Sequence, residues 1–144
     1  MKATILLADS AQVAAGKLYV LGGGWSLTGP APTPAAIALL IQVPWDEGNR
    51  VHTFKLELVD GDNRPVMVPT QVGDRPVELS AEFEAGRPPG IKPGSPLNVP
   101  LAMNLGPLPL PAGGIYVWRL TIDGHTEPNW EVTFQTRPQQ QPTP

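Results

Sequence analysis

Apolar and polar residues alternate with a period of two along most of this chain, as in strands with one buried face. Between Val51 and Asp60, His52, Phe54, Leu56 and Leu58 share one side, with Thr53, Lys55 and Glu57 on the other. From Val77 to Ala85 the inward set is Val77, Leu79, Ala81 and Phe83, opposite Glu78, Ser80, Glu82 and Glu84. Leu97, Val99, Leu101, Met103 and Leu105 form a third face, Tyr116, Trp118, Leu120 and Ile122 a fourth, and Trp130, Val132 and Phe134 a fifth. Pro100 cannot donate to a ladder, so the 97–105 strand is predicted at a sheet edge or bulged. Ala36 to Val43 is almost wholly apolar, which predicts a central strand covered on both faces. Thr4 to Ala8 reads as a shorter strand of the same kind.

Turn residues separate these runs. Asp60-Gly61-Asp62-Asn63 predicts a hairpin turn leading into Pro65-Val66-Met67-Val68, and Asp123-Gly124 opens the last connection. Gly22-Gly23-Gly24 interrupts a strand where a bulge or another backbone needs room, and no Lys-Ser/Thr follows to make a phosphate loop. Eight or nine short strands with this punctuation predict an all-β, antiparallel two-sheet sandwich. The domain is expected to span residues 1–136, with a Pro/Gln-rich tail at 137–144 that is disordered alone. Met1-Lys2 followed by Ala3 to Ala8 imitates a signal peptide, but Asp9 ends the apolar run early, and the segment reads as a first strand.

Composition narrows the function classes. The 144 residues include 19 prolines, 15 glycines and no cysteine, which removes helical bundles, disulfide frameworks, thiolate nucleophiles and zinc ribbons. A net charge of −3 argues against a nucleic-acid partner, and no apolar run is long enough to span a membrane. The absence of cysteine fits a reducing cytoplasm, with a virion as the alternative location. Eight of the prolines and five of the glycines fall in residues 86–113, making stiff loops on either side of the 97–105 strand.

Candidate chemistry is sparse. His52 lies on the inward parity and reads as a satisfied core or rim histidine, while His125 sits in a polar turn. No metal-ligand spacing surrounds either, and the serines at 10, 26, 80 and 95 lack a nucleophile elbow. Glu78, Glu82 and Glu84 form an outward stripe expected to be a solvated face. Asp60, Asp62 and Asn63 read as turn residues rather than a calcium loop. Trp118 and Trp130 fall on core parity, whereas Trp45 ends a strand beside a polar loop, as either an interface anchor or a core lid. Gly106 to Pro111 is a short polyproline-type stretch whose Leu108 and Leu110 either dock on a partner or plug the sandwich end.

Two resemblances add to this. Ala112-Gly113-Gly114-Ile115-Tyr116-Val117-Trp118 resembles the tyrosine corner opening strand F of immunoglobulin-like sandwiches, where the tyrosine hydroxyl bonds back to the preceding turn. Trp118 stands where antibody domains carry a cysteine. The resemblance implies an immunoglobulin-like sandwich and says nothing of function. Ala8 to Val13, Gly16 to Trp25, Arg87 to Gly94 and Tyr116 to Leu120 resemble a family of small bacterial proteins of unknown function, common in actinobacteria. That resemblance implies no activity and carries over no catalytic residue.

The sequence thus predicts a non-enzymatic protein-interaction or scaffolding module, without metal or cofactor, that meets a protein partner or a second copy of itself. The expected contact residues are Trp45, Arg87, Ile91, Lys92, Leu108 and Leu110. A capsid decoration protein of an actinobacterial phage is the alternative. A carbohydrate-active enzyme or sugar-binding module is the third reading, requiring an acidic pair in a cleft beside Trp45.

Overall fold

The period-two runs become two sheets whose apolar faces meet. A computed structural model describes residues 1–139 of the chain. The strands are β1 (Lys2–Ala8), β2 (Ser10–Ala14), β3 (Lys17–Leu21), β4 (Leu27–Thr28), β5 (Ala35–Val43), β6 (Val51–Asp60), β7 (Met67–Thr70), β8 (Gly73–Pro76), β9 (Glu78–Glu84), β10 (Leu97–Leu105), β11 (Ile115–Ile122) and β12 (Glu131–Thr136). The described residues contain no α-helix, and a single 3-10 turn covers Trp45–Glu47. One sheet has the order β1-β5-β10 and the other β4-β12-β11-β6-β9, while β2-β3 and β7-β8 are separate hairpins. The fold is all-β. Of the predicted tail at 137–144, residues 140–144 lie outside the described part.

The core lies between the two sheets. Ile37, Leu39, Ile41 and Val43 of β5 meet Phe54, Leu56 and Leu58 of β6 and Trp118 and Leu120 of β11. Each such aliphatic side chain contributes about 1.5–3 kcal/mol when removed from water, enough to fix register, since a one-residue slip would expose the whole set. β5 is central and covered on both faces, as its composition predicts. Its second face explains the alanines. Ala36 and Ala38 join Ala8 and Ala11 in a small cluster beneath the β2–β3 hairpin, with Leu18 and Val20 packed on it. The side chain of Asn104 clamps this hairpin, accepting from the Ala11 N–H (3.2 Å) and donating to its carbonyl (2.8 Å).

β10 is an edge strand, so Pro100 leaves no ladder bond unmade. β1 corrects the expectation for Thr4–Ala8. It begins at Lys2, sits at the opposite edge of the same sheet, and leaves Leu6 exposed. It is apolar because Leu7 points into the core while Ala8 points beneath the hairpin. The glycine run lies where the returning chain crosses β1. The Gly24 N–H donates to the Leu7 carbonyl (2.7 Å), and a Cβ on Gly22 would run into the Asp9 carboxylate.

The Asp60–Asn63 turn forms as expected, with Asp60 Oδ1 accepting from the N–H groups of Asp62 and Arg64. The strand after it does not continue. Val66 and Val77 both bond to Leu58, and Val77 N–H also donates to the Val66 carbonyl (2.9 Å). Residues 67–76 therefore leave and rejoin the sheet at nearly one point, forming an arm with no buried residue. Eight strands make the two main sheets, and the two hairpins add four short ones. Lys17–Leu21 is too short for its alternation to mark a separate pair, and Met67–Pro76, with no buried residue, has none to read.

Candidate contact sites at the two ends of the sandwich

The residues singled out in the sequence separate to opposite ends of the β1-β5-β10 sheet. At the end where β5 finishes and β10 starts, Trp45 opens the 3-10 turn, half-buried and packed on the core. Arg87 lies across it, with its guanidinium carbon 4.4 Å from the ring centroid and Nη2 donating to the Trp45 carbonyl (2.6 Å). Both contacts tie an exposed cation to a fixed aromatic. Ile91, in the loop that leads to β10, packs against the core, and Lys92 is solvent-exposed. An open groove of about 550 Å3 runs beside Trp45, lined by Lys2, Gln42, Pro44, Asp46 and Pro96 among others. Its lining carries one carboxylate, Asp46, and not the acidic pair that glycoside chemistry needs.

A buried histidine holds this end together. His52 is 4% exposed and stacks on Phe83. Its Nδ1 lies 2.6 Å from Asp123 Oδ2, and its Nε2 lies 2.8 Å from the Glu47 carbonyl oxygen. Neither partner can donate, so both ring nitrogens carry hydrogen and the imidazole is cationic. Burial pushes its pKa down, but the Asp123 and Glu47 bonds and the nearby carboxylate charges outweigh this, leaving it above the usual 6.5. Burial likewise pushes Asp123 up. The His52 bond, the Thr53 N–H (2.9 Å), and the His52 and Arg50 charges outweigh it and hold Asp123 below 3.8. The carboxylate is presented by the Asp123-Gly124 turn, where both residues have positive φ, as a two-residue hairpin turn requires. The inward parity of His52 was legible in sequence; its partner 71 residues away was not.

His125 is exposed, beside Glu127 at 2.7 Å. The Glu78, Glu82 and Glu84 stripe is solvent-exposed, and Trp118 and Trp130 are buried in the core, all as expected. Among the described residues, no group of three or more His, Asp or Glu side chains is placed to hold a metal. No described helix is long and apolar enough to cross a membrane.

At the other end, Leu108 and Leu110 pack against the core and line a chamber together with Trp25, Trp118 and Phe134. The Tyr116 hydroxyl donates to the Pro111 carbonyl (3.2 Å), the bond expected of a tyrosine corner. Thr136 Oγ1 donates to the same carbonyl (2.8 Å) and accepts from the Gly114 N–H (2.9 Å). Gly114 is required here, since a Cβ would strike the Tyr116 ring. In the sequence Trp25 stands out only as the residue behind the glycine run and within the family resemblance, and its place beside Phe134 (centroids 5.9 Å apart) has no local signal.

No curated protein and no solved structure matches the chain. A family model does match, over residues 3–135, under the description Family of unknown function (DUF6941), and the chain belongs to that family.

Proposed function

We propose that the protein is a non-enzymatic interaction module on an immunoglobulin-like sandwich, meeting a protein partner through its Trp45–Arg87 end. The observation that carries this reading is the pair itself. Tryptophan and arginine dominate binding energy at interfaces, and here each is immobilised by the other before any partner arrives. The open groove beside Trp45 offers room for the partner, and Lys92 lies on the same loop as Arg87. Against catalysis at this end, both His52 nitrogens are engaged, which leaves no imidazole lone pair for a general base.

The immunoglobulin-like reading draws on strand order. Neighbours β1-β5-β10 follow the order A-B-E, and β12-β11-β6-β9 follow G-F-C with C′ added. The Tyr116–Pro111 bond supplies the tyrosine corner.

The test uses immobilised protein and extract of its native source, with bound proteins identified and their affinities remeasured by calorimetry. Arg87→Ala and Trp45→Ala, each checked for folding by circular dichroism, are expected to weaken the principal partner at least tenfold. Affinity unchanged in both variants refutes the site. Sedimentation of the purified protein decides whether the partner is a second copy of the chain.

A further inference from the structure

The two main sheets have four edge strands, and three of them are guarded against pairing with another chain. An open edge offers unpaired N–H and C=O groups, which proteins blunt with charges, prolines, shortness or a cover. β9 carries Glu78, Glu82 and Glu84, all exposed. β10 has Pro100 and is tied to the β2–β3 hairpin through Asn104. β4 is two residues long, and beyond it the rim of β12 carries Glu131. β1 is the exception. From Ala3 to Ala8 it holds neither a charge nor a proline.

The free groups of β1 follow from its ladder. In an antiparallel pair, alternate residues bond to the neighbouring strand and the others face away. The Leu7 carbonyl accepts from the Gly24 N–H (2.7 Å), so Leu7 faces away from β5, and Ile5 and Ala3 do so with it. Leu7 is thereby covered. Among the described residues, no other segment bonds to the main chain of Ala3 or Ile5. Their side chains are half-buried on the core side, while Thr4 and Leu6 are exposed on the other face.

We propose that β1 is a self-association edge, pairing antiparallel with β1 of a second copy across a two-fold axis at Thr4. In that register Ala3 lies opposite Ile5 of the second copy, and each such pair exchanges two hydrogen bonds, so every free group is used. Centring on Ala3 would set Ile5 against Met1, outside the strand. Centring on Ile5 would set Ala3 against Leu7, whose carbonyl Gly24 already holds. The side chains fit the same register. Lys2 meets Leu6 of the second copy, whose apolar surface the lysine stem covers, and no like charges are opposed along the strand. Thr4 meets Thr4, a favourable cross-strand pair. This self-complementarity is what selects a second copy over a foreign strand. The edge is separate from the Trp45–Arg87 contact, although Lys2 also borders the groove there, and variants at each place tell the two apart.

The chain has no cysteine, so a single introduced one reports the register. Thr4 would face its own copy at a non-hydrogen-bonded position, with Cα atoms about 4.5 Å apart, within reach of a disulfide. In a glutathione buffer, Thr4→Cys is expected to link to itself about tenfold or more faster than Lys2→Cys, whose own copy would lie roughly 13 Å along the pair. Sedimentation of the native chain is expected to show a monomer–dimer equilibrium with Kd on the order of 10⁻⁴ M, as suits a short edge. Thr4→Lys opposes two ammonium groups, and Ala3→Pro removes a free-edge donor without touching the β1–β5 ladder. Each, checked for folding by circular dichroism, is expected to weaken the dimer about tenfold, with salt restoring only Thr4→Lys. Trp45→Ala and Arg87→Ala are expected to leave it unchanged.

A native chain that stays monomeric at millimolar concentration overturns the proposal and leaves the Trp45 reading standing. Equal linking of Thr4→Cys and Lys2→Cys overturns it too, as does a dimer that persists in both Thr4→Lys and Ala3→Pro. A dimer dispersed by Trp45→Ala and not by Thr4→Lys assigns self-association to the other contact.

Discussion

Replacing Asp123 with asparagine should reverse the pH dependence of stability contributed by His52. In the native protein His52 is cationic between a carboxylate and a carbonyl. Its pKa is raised above 6.5, so its contribution is complete below 6.5 and is lost as pH rises through the folded value. Asp123 is held below 3.8, so its contribution is complete above 3.8 and is lost as pH falls through its folded value. The clasp is therefore at full strength between about 3.8 and 6.5. Asparagine keeps the shape and can still accept the Thr53 N–H, but its amide donates to Nδ1 instead of accepting from it. That arrangement favours the neutral ring, with Nε2–H still on the Glu47 carbonyl. The folded-state pKa of His52 then falls, and stability rises with pH across the range where the native protein loses it.

The magnitude comes from exchanging a charge-assisted bond for a neutral one, a difference of about 1 kcal/mol. The Asp123 side chain is 45% exposed, so solvent screening keeps the effect at the low end of what a buried pair would give. For a chain of this length that is a change in Tm of about 2–4 °C. The assay is thermal unfolding from pH 5 to pH 9 for both proteins, with His52 titrated by NMR. The expected curves cross: Asp123→Asn melts lower at pH 5 and equals or exceeds the native protein above pH 8. His125→Gln serves as control, because that ring is exposed and its pair with Glu127 is screened. Parallel profiles for the native protein and Asp123→Asn, or a His52 titration below 6.5, would refute the charged clasp.

Tyr116→Phe removes one hydroxyl from Pro111, which keeps the Thr136 bond, and should cost about 1 kcal/mol in chemical denaturation. Thr136→Val also strips the Gly114 N–H of its acceptor and should cost about 2 kcal/mol; the reverse order would contradict the network drawn here. Deleting residues 67–76 and joining Val66 to Val77 through two glycines should leave Tm within a few degrees, because the arm buries nothing and its ends already touch. Loss of cooperative unfolding in that deletion would show that the arm supports the sheet. Asn104→Ala should free the β2–β3 hairpin locally, seen as faster hydrogen exchange at Ala11 while the β5 and β11 amides stay protected.

The sheets were legible wherever one face meets water and the other meets the core. In β6, His52, Phe54, Leu56 and Leu58 are all buried, because period-two alternation and half-burial are one fact seen in sequence and in space. The uninterrupted apolar run of β5 announced a second cover but not its source. Nothing local says that Ala36 and Ala38 are small so that a hairpin from residues 10–21 can lie over them. β1 misled for the same reason, since an edge strand partly roofed by another element has the composition of a central one. Met67–Pro76 misled in the other direction. Its residues suit strands, but with neither face buried there is no alternation to read.

The candidate sites were less legible because they consist of pairs made across the chain. Trp45 and Arg87 were each noticeable, yet the guanidinium over the indole joins residues 42 apart and depends on the 86–96 loop folding back onto the 3-10 turn. Prolines stiffen that loop, so the position of Arg87 costs little conformational entropy to hold. The same logic governs the other end. Leu108 and Leu110 sit between prolines and pack against the core beside residues 29–33, which hold two more prolines. Trp25 escaped notice because three glycines precede it, and glycines have no face and hence no parity. What singles it out is a buried donor without an acceptor, a property of three-dimensional packing. Stiff loops at both ends of a well-filled core thus place an aromatic–cation pair at one end and an unsatisfied donor at the other. The excess of proline and glycine therefore has an address, in the connections at those two ends.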